Sequence, residues 1–111
     1  MYAVVRKFNQ MRSIDEAGRR AADGLGPMLQ QSPGFIAYYV VRFGDQVGGS
    51  ITLFETQNAA QDAHRKALNW IRSNLSDLIE GEPEVMAGEV LAAVTAQGTK
   101  GRASAAQGAS R

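Results

Sequence analysis

Apolar positions along this chain follow two rhythms. Residues 2–8, YAVVRKF, and 32–43, SPGFIAYYVVRF, are rich in β-branched and aromatic residues, as strands are. QVGGSITLFE and the stretch from Glu84 to about Thr95 have the same character. Between them, residues 14–29 and 57–80 repeat their apolar positions every three to four residues, the helical period. The predicted order is β-α-β-β-α-β. That is an α+β, ferredoxin-like arrangement: a four-stranded antiparallel sheet with two helices on one face.

The turns support this division. Ser13-Ile14-Asp15-Glu16 fits the S-x-x-E capping box, in which each side chain satisfies a free amide at a helix start. Ile14, Ala17, Ala21, Leu25, Met28 and Leu29 then share one stripe, within about 120° of arc. Gly26-Pro27 should kink or break this helix near residues 24–27, because proline removes a donor and crowds the preceding turn. Gly44-Asp45 has the composition of a tight Gly-X turn, joining 35–43 and 46–55 in an antiparallel hairpin. Gly48-Gly49 marks a bulge or a close backbone approach. Thr56 is a candidate N-cap for the second helix, and Gly81 and Pro83 end it.

The segment 35–43 poses a problem. Successive strand side chains point to opposite faces. One face carries Phe35, Ala37, Tyr39, Val41 and Phe43; the other carries Ile36, Tyr38, Val40 and Arg42. Both are apolar over most of their length. The last strand is similar, with Val85, Ala87 and Leu91 alternating with Met86, Val90 and Val94. Two helices cover only one sheet face. The other face would expose more apolar surface than a monomer usually shows. The expectation is a homodimer packed sheet to sheet with two-fold symmetry. The pattern does not say which parity faces the helices.

Length and composition fit this picture. One hundred and eleven residues make one domain. No run approaches the ~18 apolar residues of a membrane span, and the opening MYAVVRKF is too short an apolar run for a signal peptide. The chain has no cysteine and one histidine. Disulfides, thiolate nucleophiles and cysteine metal sites are excluded, and a zinc site is disfavoured. The expected location is cytoplasmic. The expected domain spans residues 1–95, followed by a disordered tail over 96–111, whose Gly, Ala, Ser and Gln cannot repay the entropy of ordering. The tail holds three basic residues and no acid, so residues 1–95 keep nine basic against eleven acidic side chains, about −2. That balance offers no basic face for nucleic acid.

Candidate chemistry concentrates in the second helix. Its stripe holds Ala60, Ala63, Ala67, Ile71, Leu75 and Leu78, with Trp70 at one margin. At 100° per residue, His64 and Asn74 fall inside this apolar stripe. They are either satisfied core polar groups or the lining of a ligand pocket. Trp70 is a core or interface residue, or a platform for an aromatic ligand. The small alanines permit close packing on the sheet, or leave room for a ligand if they face Gly48-Gly49. Arg6 and Asn9, at the end of the first strand, are expected at the surface. Glu80, Glu82 and Glu84 form a solvated acidic turn. No nucleophile elbow or phosphate-binding loop is present.

PGF opening the second strand, FET ending the third, the helix AAQDAHRKALNWIRSNL and the last strand PEVMAGEV together resemble the antibiotic biosynthesis monooxygenase-like domains. These belong to the dimeric α/β-barrel superfamily. The resemblance covers about residues 2–94. It implies a dimer with a pocket between helices and sheet. Some relatives oxygenate polycyclic phenols without metal or flavin, others degrade haem, and many have no known activity. The phenol-oxygenating type uses an Asn, a Trp and a Tyr where this chain has Ser50, Phe54 and Ala60. The haem-degrading type uses an Asn that Asn9 could match, a Trp that Trp70 could match, and a His ten residues later, where Glu80 stands. The resemblance therefore implies a small aromatic ligand and no cofactor. His64, Trp70, Asn74, Ser50, Phe54 and Asn9 are the pocket candidates, and no catalytic residue is assigned.

Overall fold

The computed structural model describes residues 1–99. Its elements are β1 (Tyr2–Phe8), α1 (Ile14–Arg20), a π-helical turn (Ala21–Leu25), α2 (Gly26–Gln30), β2 (Phe35–Arg42), β3 (Gly48–Phe54), α3 (Gln57–Asn74) and β4 (Glu84–Glu89). A small antiparallel pair, β5 (Val94–Thr95) and β6 (Gly98–Thr99), follows. The main sheet is antiparallel in the order β2-β3-β1-β4, so β1 and β3 are central. This is the α+β, ferredoxin-like topology. The tail expected to be disordered lies, from Lys100 onward, outside the described residues.

The helix starts obey their sequence signals, with one exchange of partners. Ser13 Oγ accepts from the Glu16 N–H at 3.2 Å, and Thr56 Oγ1 accepts from the Ala59 N–H at 3.1 Å. The return half of the capping box is replaced. The Glu16 carboxylate receives the Arg20 Nε–H at 2.9 Å and a second bond from Arg19. Charge-assisted partners outcompete a neutral amide.

Gly26-Pro27 does not break the first helix. The backbone inserts the wider π turn instead, and the Gly26 N–H reaches the Ala21 carbonyl. Pro27 then sits in the first turn of α2, where its missing donor costs nothing. The helix continues to Gln30 with Leu25 and Leu29 both buried.

Three other boundaries move. The helix expected over 57–80 ends at Asn74, because residues 78–80 pair with the segment after β1. The Arg12 N–H bonds the Leu78 carbonyl at 2.9 Å, and the Glu80 N–H bonds the Gln10 carbonyl at 3.0 Å. The last strand stops at Glu89 rather than near Thr95. The Gly44-Asp45 turn is wider than a two-residue loop: the Phe43 and Gly44 N–H groups both reach the Val47 carbonyl. Gly49 marks a close approach and no bulge, since a Cβ there would collide with the Arg6 carbonyl oxygen.

The bulge lies in β2 and resolves the two-faced strand. Opposed residues of antiparallel strands share a face. Tyr38 and Val40 oppose Thr52 and Ser50, which are buried under the helices. Ala37, Tyr39 and Val41 oppose Leu53, Ile51 and Gly49 on the outer face. Between Phe35 and Ala37 the register slips. Phe35 consequently opposes Phe54 on the helix side, ring to ring at 6.1 Å and 76°. An extra residue in one strand thus moves Phe35 to the covered face while Tyr39 stays on the open one.

Candidate functional site: a buried guanidinium between sheet and helix

β1 carries Val4, Arg6 and Phe8 on its helix-facing side. All three are buried, and Arg6 has no exposed surface. The expectation that Arg6 lies at the surface is therefore corrected. Alternation places it between two core residues on a central strand, while Lys7 takes the outward position. Arg6 opposes Ser50 on β3 and Val85 on β4. Thr52 and Tyr38 are its diagonal and next neighbours on the same sheet face.

α3 brings His64 down onto this group. Arg6 Nε donates to His64 Nδ1 at 3.1 Å, and Arg6 Nη1 donates to Ser50 Oγ at 3.0 Å. The third nitrogen, Nη2, is buried and has no partner, and neither has Thr52 Oγ1. Among the described residues no carboxylate pairs with Arg6. A guanidinium stays charged under all ordinary conditions. A positive charge is thus held inside the fold with two neutral acceptors and no counter-ion.

The neighbours respond to that charge. Burial lowers the pKa of Arg6 itself, and Tyr38 opposes that shift. Burial raises the Tyr38 phenol above its ordinary value, while the Arg6 charge pulls it back. Burial and then the Arg6 charge lower the His64 imidazole. His64 is accordingly neutral near pH 7. Because its Nδ1 accepts a hydrogen bond, its proton resides on Nε2. In that state neither nitrogen offers a free lone pair to a metal. No group of three or more His, Asp or Glu side chains placed to hold a metal occurs among the described residues.

Two hollows reach the acceptors of the guanidinium, although Arg6 itself lines neither. One, about 30 Å³, lies under the first helix and is lined by Ala21, Leu25, Tyr38, Val40, Ser50 and Ile71 among others. The second, about 70 Å³, opens at the β4 edge between Tyr2, Val4, Ala60, His64, Val85 and Ala87. Ser50 and His64, the two acceptors of Arg6, line one hollow each. The π turn forms part of the roof of the first. A π turn is a local irregularity that often sits at functional sites.

The six sequence candidates separate here. Ser50 and His64 join the Arg6 cluster. Phe54 is fully buried and packs in the core against Phe35. Trp70 is half-buried and lies on the π turn, so close that a Cβ on Gly24 would stand 2.5 Å from its Cζ2. Asn74 is exposed and not inside the stripe. As the last residue of α3 it donates from Nδ2 to the Trp70 carbonyl at 2.8 Å, and its own carbonyl accepts from Arg20. Asn9 is exposed and donates to Glu84 Oε2 at 2.8 Å. Nor do the alanines of α3 stand over Gly48, whose nearest side chains are Met11 and Ile14. Tyr38 and Thr52 are the cluster members that pattern reading does not single out, and Arg6 is the one it names but sets at the surface.

No family model and no curated protein matches the chain. Solved structures do. NE2512, a protein of unknown function from Nitrosomonas europaea, matches with TM-score 0.69 and 20% identity over 85% of this chain and 92% of its own. The monooxygenase ActVA-Orf6 of Streptomyces coelicolor, solved with nanaomycin D, matches with TM-score 0.66 and 16% identity over 85% and 90%. SnoaB of Streptomyces nogalater, a cofactor-independent oxygenase, matches with TM-score 0.63 and 17% identity over 78% and 89%. The chain has the antibiotic biosynthesis monooxygenase-like fold.

Proposed function

We propose that this chain works as a two-fold dimer, sheet face to sheet face, that binds a small aromatic or otherwise apolar molecule between its helices and its sheet. The cluster of Arg6, Ser50, Thr52, Tyr38 and His64 carries this reading. Purely structural cores bury few polar groups and satisfy them. Here three are buried together, with Tyr38 and His64 half-buried beside them, and two polar atoms are left over. Apolar walls with a few convergent polar groups are how ligand sites are built.

Neither hollow holds an aromatic ring as it stands, so binding must widen one. The roof at the π turn is the wall to move, and Trp70 rests on it. A panel of one- to three-ring aromatics, followed by thermal shift and by Trp70 fluorescence, tests the reading. Binding at a hundred times Kd stabilises the fold by about 2.7 kcal/mol. An unchanged melting temperature across the panel at millimolar concentration would leave a structural dimer without ligand.

The dimer rests on the open sheet face. Tyr39 is 56% exposed and Met86 73%, and Val5, Ile51 and Leu53 lie between them. A second copy would cover this row. Among the described residues no helix is long and apolar enough to cross a membrane, and the reading includes a cytoplasmic location.

A second reading, cofactor-independent oxygenation of an aromatic or quinol substrate, is favoured by the likeness to SnoaB and ActVA-Orf6. Tyr38 and His64 beside Arg6 could hold and move a proton on such a substrate. O₂ consumption with a quinol, and a product 14 or 16 mass units heavier, would support it. Ser50, Phe54 and Ala60 stand where the resemblance implies the oxygenase Asn, Trp and Tyr, which weighs toward binding alone.

A further inference from the structure

The Arg6 cluster is unusual in its charge balance, and that balance selects among ligands. A buried cation is costly unless an anion neutralises it. Arg6 has the two acceptors Ser50 Oγ and His64 Nδ1, both neutral, and a fully buried Nη2 with no partner. Thr52 Oγ1, on the same sheet face, is buried and also without a partner. Both groups can donate. Tyr38, directly opposite Thr52, adds a third group that can donate. Within this group every free polar function can donate a hydrogen bond, and none is an anion.

We propose that the ligand bears one deprotonated oxygen, of a carboxylate, phenolate or enolate, and that this oxygen is held by Arg6 Nη2 and Thr52 Oγ1. The proposal deepens the binding reading above and rests on it. A neutral ligand would leave the guanidinium uncompensated. An anionic oxygen would give Nη2 its missing partner in a low-dielectric setting, where charge-assisted bonds are strong. In the hollow under the first helix, the remainder of the ligand would then lie against Val40, Leu25 and Ile71, which offer only apolar contact. His64 is neutral and locked to Arg6, so it adds no second positive charge. One Arg with no partner cation suits a single negative charge better than a phosphate dianion.

Small rings of matched shape separate the alternatives. Benzoate and 4-nitrophenolate are the anionic arms, one for each source of the oxygen. Benzamide and 4-nitroanisole are their neutral counterparts. Affinities are measured by calorimetry or equilibrium dialysis on the full chain. At least one anion should bind tenfold or more tightly than its neutral partner. The preferred arm tells carboxylate from phenolate. Bound 4-nitrophenol should also keep its yellow phenolate band at a pH where the free compound has lost it.

Arg6→Met should abolish the preference, and Thr52→Val should reduce it severalfold with the fold intact. Equal affinity for charged and neutral members overturns the acidic-oxygen proposal while the binding reading stands. A preference that survives in Arg6→Met also overturns it, by placing the anion elsewhere. Absence of binding in all four arms removes both. Should Arg6→Met fail to fold, the wild-type preference and Thr52→Val still decide.

Discussion

On the helix side of the sheet, Val4, Phe8 and Phe54 surround Arg6, Ser50 and Thr52. On the other side, Tyr39, Phe43 and Met86 stand in the open beside Val5, Ile51 and Leu53. The covered face is apolar with a charged centre. The bare face is apolar, with its charges, Lys7 and Glu84, on opposed positions at one end of the strands. One face keeps polar groups where they are expensive, and the other keeps apolar groups where they are unprotected. Each departure costs stability in a lone chain, and the two proposed partners would repair them: a small anionic molecule inside, a second copy outside.

The comparison is broken most severely in the core. Phe54→Ala should cost about 3–5 kcal/mol, since a fully buried ring is lost and its T-shaped contact with Phe35 goes with it. Tyr39→Ala, on the bare face, should cost the isolated chain less than about 1 kcal/mol. Denaturant unfolding at low protein concentration measures both. Similar losses for the two would mean that the faces are not distinct.

Next in size is assembly. Tyr39→Asp combined with Phe43→Asp should weaken the dimer at least a hundredfold, about 2.7 kcal/mol, by setting charge into the centre of the contact. Light scattering should find the wild type near twice the 11.9 kDa chain mass and the double variant near 11.9 kDa itself. Ligand binding should survive in the separated chain if the site is contained on the helix side. A wild-type mass of one chain at tens of micromolar would end the dimer reading.

Arg6→Met tests the covered face with the opposite sign. Replacing an unpaired buried charge by an apolar side chain of similar length should stabilise the ligand-free fold by roughly 1–2 kcal/mol, even though Ser50 and His64 lose their donor. A rise in melting temperature together with loss of the anion preference would mark Arg6 as a residue kept for function. A large destabilisation would mark it as structural.

These contrasts were unequally legible in the sequence. Element order came through because local signals agreed: Ser13, Thr56 and Pro33-Gly34 each sit at a real boundary. The dual apolar character of 35–43 was visible, but the slip between Phe35 and Ala37 was not, because nothing in SPGFIAYYVVRF distinguishes a bulge from a straight strand. Gly26-Pro27 signals a kink or break because proline interrupts an α-helix, and the helix meets it with one wider turn over Ala21–Leu25 instead of stopping. Arg6 is the main misplacement, expected at the surface and found buried. Its signal existed in Val4-Arg6-Phe8, a charge on the apolar parity of a central strand. Charge type suggested surface, and alternation suggested core. Alternation wins on a central strand, since a one-residue slip would bury Lys7 and expose Val4 and Phe8. His64 was found because helical spacing is a stronger constraint than residue type. Asn74 falls on the stripe by spacing but is exposed as the last residue of α3, where it bonds the Trp70 carbonyl and receives Arg20.

The smallest expected effect is also the most selective, because it reads the charge of Arg6 through a neighbour. The His64 imidazole is lowered by burial first and by the Arg6 charge second. An unfolded histidine titrates near its ordinary pKa of about 6.5. Below that value the unfolded chain takes up a proton that the folded chain refuses. The unfolded state then binds more protons, so stability rises with pH across this window. The contribution is complete above about pH 6.5 and is progressively lost as the pH falls from there toward the lowered folded pKa. Asp77, whose carboxyl is held down chiefly by its bond to Arg20, acts only below the ordinary carboxylate range and leaves this window clear. Unfolding free energies between pH 5 and 7 should therefore slope modestly upward in the wild type. The slope should vanish in His64→Gln, which keeps an acceptor for Arg6 but cannot take up the proton. In Arg6→Met it should shrink without vanishing, because burial remains when the charge is gone. A slope unchanged in Arg6→Met would show that the guanidinium does not act on His64, and the covered face would lose its charged centre as an organising feature.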